Sequence, residues 1–287
     1  MNMESAYETY RKLLFSIAYR LLGSRTEAED AVQDVFVSLH SVDPDSIDNL
    51  KAFLSRSVAN RCLNSLKSAK KRKELYPGPW LPEPLYAGTE AEPGYRLELA
   101  EEIRYAYLVM LELLSPMERA VFVLRGAFDF EYAEIAGIIG KTEDNCRKIL
   151  SRARRKITEA GYDAVSSGET ERSNVGPFIE AMRQGNIATA IGLLADSVVL
   201  MTDGGGKVRS AMRPLAGIER VGAFLAGIAR KRAFADGVDP VTVNGETGMR
   251  VRRTFMPDAI WSFSFDPQTG LITRIYAVSN PDKLIGE

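Results

Sequence analysis

The sequence predicts a multidomain protein in which two all-α modules precede an α+β domain with a curved antiparallel sheet wrapped on helices. Two observations lead to this prediction. Apolar residues recur at helical spacing up to about residue 73 and again from Leu114 to Ile157. Beyond about residue 174, short helical patterns give way to strand-like runs, one of them from Met249 to Phe255, separated by turns such as Asn244-Gly245. The predicted boundaries are a helical module at 1–73, a proline-rich acidic linker at 74–95, a helix-turn-helix module at 96–163, a second linker at 164–173 and the α+β domain at 174–287.

The first module is predicted to contain three helices. The first spans about Glu4 to Leu22 and ends at Gly23. The second starts at a capping box formed by Thr26 and Glu29, and it carries an apolar stripe opposite a polar face. The third runs from about Leu50 to Lys73 and combines a buried stripe with a basic surface, which is also common at the frayed end of an ordinary helix.

The second module has the pattern of a helix-turn-helix. Ser115, Pro116 and Glu118 predict a capped first helix, Gly140 supplies the turn, and Thr142 caps the last helix. The inward stripe of that last helix is predicted to be Cys146, Ile149, Leu150, Ala153 and Ile157. Its outward face carries Arg147, Lys148, Ser151, Arg152, Arg154 and Arg155. An exposed basic helix after a tight turn suits a DNA major groove, although basic residues also favour helix ends in general.

Charge and composition argue against several other classes of function. The chain has 37 basic and 38 acidic residues and a net charge of −1, so the basic surfaces are local features. Cys62 and Cys146 are expected to be core thiols, and the single histidine, His40, excludes a site with several histidines. We expect no metal or cofactor. The sequence shows neither a membrane-spanning run nor a signal peptide, which predicts a soluble, cytoplasmic protein.

Three segments have no evident part in DNA reading. A proline-rich stretch, 76–84, surrounds Trp80, whose indole is expected to dock on this chain or on a partner unless the stretch is a plain spacer. A glycine turn comprises Asp203, Gly204, Gly205, Gly206 and Lys207, and a near-terminal segment comprises Asn280, Pro281, Asp282, Lys283 and Leu284. The glycines permit a positive φ or the close approach of another backbone, and a simple hairpin turn is the alternative.

The motifs of the two helical modules resemble regions two and four of extracytoplasmic-function (ECF) sigma factors of the sigma-70 family. TEAEDAVQDVFVSLH is similar to the helix that docks on the clamp helices of the polymerase β′ subunit, and FLSRSVANRCLNSLKSAKKR to the helix that reads the minus-ten element. YAEIAGIIGKTEDNCRKILSRARRKI is similar to the helix pair that reads the minus-thirty-five element. The resemblance implies a non-enzymatic protein that binds core RNA polymerase, through β′ and β, and promoter DNA.

The same resemblance implies roles for individual residues. Asp30, Gln33, Asp34 and Phe36 would bind the polymerase clamp. Asn60, Arg61, Asn64 and Lys67 would capture unpaired minus-ten bases, while the outward face of the last helix would contact minus-thirty-five base edges and phosphates. Ser57 and Arg61 depart from the pattern, since many members of the class carry apolar residues there.

YPGPWLPEP, DGGGK and NPDKL resemble signature segments of the subgroup with a fused SnoaL-like C-terminal domain, which includes SigJ-like factors. That subgroup implies that the extension regulates activity without a separate anti-sigma protein. We therefore expect the C-terminal domain to dock on the linker near Trp80 and to hold the DNA-reading modules in a spacing that does not match a promoter. Two alternatives stay open: a ligand-sensing helix-turn-helix regulator with a small ligand in the C-terminal cone, and a bifunctional enzyme whose cone is faced by Asp203, Asp258, Arg252 and Tyr276.

Overall fold

The computed structural model describes residues 3–42, 47–86, 103–162 and 174–284. The chain divides into two compact units. Unit 1 comprises Met1–Glu74 and Tyr107–Val165, and unit 2 comprises Leu75–Ala106 and Ser166–Glu287. Residues 75–86 of the predicted first linker therefore belong to the same unit as the α+β domain. Residues 87–95 of the first linker and all of the predicted second linker, 164–173, lie outside the described residues.

Helices make up unit 1, and local caps start several of them. In α5, Ser115 and Glu118 form the predicted capping box. Thr142 accepts a hydrogen bond from the Asn145 backbone N–H and caps α7 as predicted. The predicted capping box of α2 is wrong, because Ser24 is the N-cap and Thr26 already lies inside the first turn. The helices are α1 (Met3–Leu22), α2 (Arg25–Leu39), α3 (Leu50–Glu74), α4 (Tyr105–Leu111, whose first two residues belong to unit 2), α5 (Pro116–Ala127), α6 (Tyr132–Ile139) and α7 (Glu143–Glu159).

The helices of unit 1 share one core. Helix α1 packs on α2 and α3, and α5 packs on α1, α3, α6 and α7. Arg119 of α5 is buried there, with its Nη1 3.0 Å from the Leu21 carbonyl oxygen and 2.7 Å from Glu112 Oε1. Both cysteines are free and buried, and burial raises the pKa of the Cys62 and Cys146 thiols above the ordinary value, which fits the predicted core thiols.

A six-stranded sheet with helices against one face forms most of unit 2. The strand order is β2-β1-β6-β5-β4-β3. The prediction of an antiparallel sheet is wrong at one pairing, because β1 and β6 run parallel, with Leu200 opposite Ile275, and the sheet is therefore mixed. The elements are α8 (Val175–Arg183), α9 (Ile187–Gly192), β1 (Leu194–Asp203), β2 (Leu215–Ala216), α10 (Ile218–Arg230), β3 (Val238–Val243), β4 (Glu246–Val251), β5 (Ala259–Phe265), β6 (Ile272–Val278) and a 3-10 turn (Pro281–Lys283).

Turn chemistry explains the strand ends of unit 2. Asn244 and Gly245 both have positive φ, 48° and 74°, and form the predicted tight turn between β3 and β4. The predicted strand from Met249 to Phe255 is too long, since β4 ends at Val251 and the next residues form a turn. Phe255 in that turn is 96% exposed.

The interior of unit 2 is an apolar core between the sheet and α8, α9 and α10. None of the four polar residues proposed for an enzymatic cone belongs to that core. Arg252 pairs with Asp239 at 2.8 Å, Asp258 pairs with Arg250, and Tyr276 packs edge-on against Tyr105. Each of these side chains therefore has partners of its own, and none of these contacts joins two of the four. Among the described residues, no helix is long and apolar enough to cross a membrane, and no cluster of potential metal ligands occurs.

Candidate nucleic-acid interface and linker clasp

One face of α2 carries most of the residues expected to bind polymerase. Asp30 and Gln33 are exposed on it, and Asp34 is half-buried. Phe36 is only 6% exposed and packs its ring 5.0 Å from the Tyr7 ring, so it supports the helix from inside and is not available at the surface.

Sequence reasoning missed Val37, which lies on that face and is 70% exposed. Its position seven residues after Asp30 is the signal that places both side chains on one side of a helix. Val37 therefore adds an exposed apolar side chain to Asp30, Gln33 and Asp34 on this surface, which we call the α2 face.

The predicted minus-ten residues form one stripe on α3. Asn60, Arg61, Asn64 and Lys67 are all exposed, and this spacing keeps them on one side of the helix. The Arg61 Nε lies 2.8 Å from Asp34 Oδ2, and the two side chains are 43% and 49% exposed. This ion pair joins the α3 stripe to the α2 face, so the two predicted surfaces are continuous.

Helix α7 exposes its predicted basic face and buries its predicted inward stripe, as expected. Lys156 fixes the helix on α5 through a 2.7 Å ion pair with Glu118. Burial alone would raise the pKa of Glu118, but hydrogen bonds from Lys156 and Ser115 outweigh it and lower that pKa. Arg147 makes short contacts with Glu143 and Asp144, both at 3.1 Å.

In unit 2, the segments around Trp80, Asp203 and Lys283 meet in a contact region that we call the linker clasp. Its centre is the Asp203 carboxylate, which is fully buried. Asp203 Oδ1 accepts hydrogen bonds from the Tyr76 hydroxyl at 2.5 Å and from the Gly205 N–H at 3.0 Å. Asp203 Oδ2 accepts from the Leu81 N–H at 2.8 Å and from Lys283 Nζ at 2.7 Å.

Lys283 closes the clasp from the C-terminal side. Its Nζ donates to the Leu81 carbonyl oxygen at 2.6 Å and lies 3.8 Å from the centre of the Trp80 ring. The Tyr76 ring is the second aromatic group, with its centre 4.9 Å from the same Nζ. Burial, followed by the hydrogen bond to Asp203, raises the pKa of Tyr76 above its ordinary value, so its hydroxyl stays a donor.

The glycines of the 203–207 turn allow the segments to approach closely. Gly205 has a φ of +61°, and a side chain there would collide with the Asn280 amide. Gly206 has a φ of +73°, and its added Cβ would lie 2.7 Å from Pro77 Cγ. The turn is therefore more than a hairpin connection, because glycine is required where the linker and the C-terminal segment pack on it.

Further contacts extend the linker clasp. Asn280 Nδ2 donates to the Tyr76 hydroxyl at 2.8 Å, and Lys207 Nζ lies 2.6 Å from Asp282 Oδ1. The Tyr86 hydroxyl lies 3.3 Å from the Leu284 carbonyl oxygen. Sequence reasoning did not single out Tyr76, although it is the first residue of the proline-rich stretch around Trp80.

The comparisons with known proteins identify the class. Residues 6–72 match the family model of sigma-70 region 2, and residues 104–157 match that of sigma-70, region 4. These two modules in this order define a sigma-70 type factor, which binds core RNA polymerase and promoter DNA and is not an enzyme.

Two full-length relatives and one solved structure narrow this class. The ECF RNA polymerase sigma factor SigJ of Mycobacterium tuberculosis is 32% identical to this chain, in an alignment that covers 98% of this chain and 93% of SigJ. The probable ECF RNA polymerase sigma factor SigI of the same species is 29% identical, in an alignment that covers 98% of this chain and 94% of SigI. The crystal structure of M. tuberculosis SigJ matches with a TM-score of 0.79 at 30% identity and covers 97% of both chains, including the α+β domain. The chain therefore belongs to the ECF family of RNA polymerase sigma factors, which confirms the resemblance of its motifs and sets aside the regulator and enzyme alternatives.

Proposed function

We propose that this sigma factor binds polymerase and recognises the promoter through three surfaces and that the linker clasp modulates its activity. The α2 face binds the polymerase clamp, the α3 stripe captures the displaced minus-ten strand, and α7 reads the minus-thirty-five element. The observation that carries the modulation is the buried Lys283–Asp203 pair, whose two side chains bind the linker between regions two and four at Tyr76, Trp80 and Leu81.

The chemistry of each surface supports its role. Amide, guanidinium and ammonium groups on α3 suit bases held out of the duplex and the phosphates between them. Carboxylates around the exposed Val37 suit a basic partner surface with an apolar centre. The Asp34–Arg61 pair makes the strand-binding stripe a continuation of the polymerase-binding face, as a factor that opens DNA on the polymerase requires.

The clasp has a mechanical rationale. Promoter elements centred near minus ten and minus thirty-five lie about 85 Å apart along B-DNA, at about 3.4 Å per base pair. A compact unit of the length of unit 1 has a radius of gyration of about 14 Å, so the modules must separate before both elements are read. The linker is the chain segment that joins them, and a linker held by the C-terminal domain restrains that separation.

Transcription measurements test the modulation. Trp80→Ala removes the aromatic partner of Lys283 and is expected to raise the run-off transcript yield severalfold, with core RNA polymerase and a promoter fragment from the gene's own neighbourhood. Phe255→Ala is the matched control, since it removes an aromatic ring of the same unit that is 96% exposed. Equal yields from the two variants would contradict the modulation, and a lower yield from Trp80→Ala would reverse its sign.

A second prediction concerns α7. Arg147→Ala and Lys148→Ala are each expected to weaken promoter binding by the holoenzyme, by about 1–3 kcal/mol for a base contact and less for a phosphate contact. Fluorescence anisotropy on labelled promoter duplex measures the loss. Arg220→Ala removes an exposed cation of unit 2 and serves as the control. Unchanged binding by both α7 variants would mean that another face of α7 meets the groove.

A further inference from the structure

Arg147 differs from its neighbours on the exposed face of α7. Its Nη2 lies 3.1 Å from Glu143 Oε2, and its Nη1 lies 3.1 Å from Asp144 Oδ1. Its Cζ lies 4.7 Å from the centre of the Tyr132 ring on α6. Lys148, Arg152 and Arg154 make no ion pair with any described residue. One cation of the recognition face is thus held by three side chains, whereas these others remain available to any phosphate.

The held guanidinium keeps part of its hydrogen-bonding capacity. Arginine has five N–H donors, and the two carboxylates engage one on each terminal nitrogen. The Tyr132 ring restricts the plane of the group, and the Arg125 guanidinium, 5.2 Å from the same ring, restricts the ring in turn. The remaining donors of Arg147 therefore have a defined direction.

The electrostatic consequence separates two kinds of DNA contact. Glu143 and Asp144 cancel the charge of Arg147 and repel a phosphate that approaches it. A guanine edge offers two neutral acceptors in the major groove, which a directed guanidinium can meet without that repulsion.

We propose that Tyr132, Glu143 and Asp144 are specificity-determining positioning residues that direct Arg147 to a guanine edge and suppress its attraction to nonspecific DNA. The proposal rests on the proposed function, in which α7 enters the major groove of the minus-thirty-five element. It assigns the acidic first turn of α7 a role beyond stabilising the positive end of the helix dipole.

The test uses the full chain with Glu143→Gln and Asp144→Asn combined. The first probe is a labelled 30-base-pair duplex of arbitrary sequence, titrated at several salt concentrations. Freeing Arg147 is expected to add one phosphate contact. The slope of log affinity against log salt concentration should then become steeper by about one, which corresponds to an additional change in affinity of about threefold over a fourfold range of salt. Adding Arg147→Ala to the double variant should return the salt dependence to that of the wild type. The matched control, Asp196→Asn with Glu219→Gln, makes the same charge change at exposed positions of unit 2 and should leave the salt dependence unaltered.

The second probe is a pool of duplexes with a randomised minus-thirty-five element, selected by holoenzyme and sequenced. The double variant should lose preference at one base pair, and Arg147→Ala should lose it at the same pair. If the double variant keeps the salt dependence and the motif of the wild type while Arg147→Ala weakens selection, the positioning role is wrong. If Arg147→Ala also changes nothing, it is the proposed role of this α7 face that fails. Thermal unfolding of each variant identifies any change caused by loss of helix stability.

Discussion

Replacing Lys283 with methionine is expected to destabilise unit 2 by about 3 kcal/mol, because the substitution leaves the Asp203 carboxylate buried without its cation. The two side chains are 6% and 0% exposed, so solvent cannot replace the lost partner. Three hydrogen-bond donors to Asp203 remain, which keeps the expected loss near the lower end of the usual range. Urea unfolding followed by circular dichroism and tryptophan fluorescence measures the change, since both tryptophans belong to unit 2.

Two comparisons show whether burial of the pair is the cause. Lys207→Met breaks the pair with Asp282, in which both side chains are more than half exposed, and should cost at most about 1 kcal/mol. Combining Asp203→Asn with Lys283→Met removes both charges and should cost less than Lys283→Met alone. If Lys207→Met and Lys283→Met lower the unfolding free energy of unit 2 by the same small amount, the linker is not held by the buried charge pair.

The stability of the clasp and its proposed role in transcription are separable. Trp80→Ala removes a cation–π contact but leaves the Asp203–Lys283 pair in place, so unit 2 should stay folded while the linker is held less firmly. Lys283→Met removes the charge at the centre of the clasp. A common effect of both variants on transcription, with unequal effects on unfolding, would support a role of the linker itself.

Local signals explain what the sequence predicted well. The caps at Ser115 and Thr142 act within four residues, and the inward stripe of α7 follows from helical spacing alone. The tight turn at Asn244 and Gly245 is also local. The sigma modules were therefore predicted from short motifs in the correct order.

Contacts between distant residues were harder to predict. Tyr76 and Asp203 are 127 positions apart, and no spacing rule pairs them. The parallel pairing of β1 with β6 depends on how the whole sheet closes, and alternation within each strand does not encode it. The Asp34–Arg61 pair links two helices whose separate roles were inferred from different motifs.

Arg119 carries the second large expected effect, because its guanidinium links α5 to the end of α1 inside unit 1. Arg119→Met keeps most of the apolar stem but removes the donor to the Leu21 carbonyl oxygen and the partner of Glu112. Since the Arg119 side chain is 3% exposed, we expect a loss of about 3 kcal/mol in the unfolding free energy of unit 1. Urea unfolding of the full chain, with hydrogen exchange to assign the loss to α1 and α5, measures it.

The matched variant for that prediction is Arg125→Met on the same helix. Arg125 donates to the Phe130 carbonyl oxygen at 3.0 Å and pairs with Glu131 at 3.4 Å, but its side chain is 31% exposed, so its loss should cost clearly less than the loss of Arg119. Leu21 belongs to the segment that matches sigma region 2 and Arg119 to the segment that matches region 4. Faster hydrogen exchange in both α1 and α5 of Arg119→Met would therefore mean that the buried guanidinium holds the two promoter-reading modules together. If Arg119→Met and Arg125→Met show the same exchange rates and the same unfolding free energy, apolar contacts alone hold the modules together.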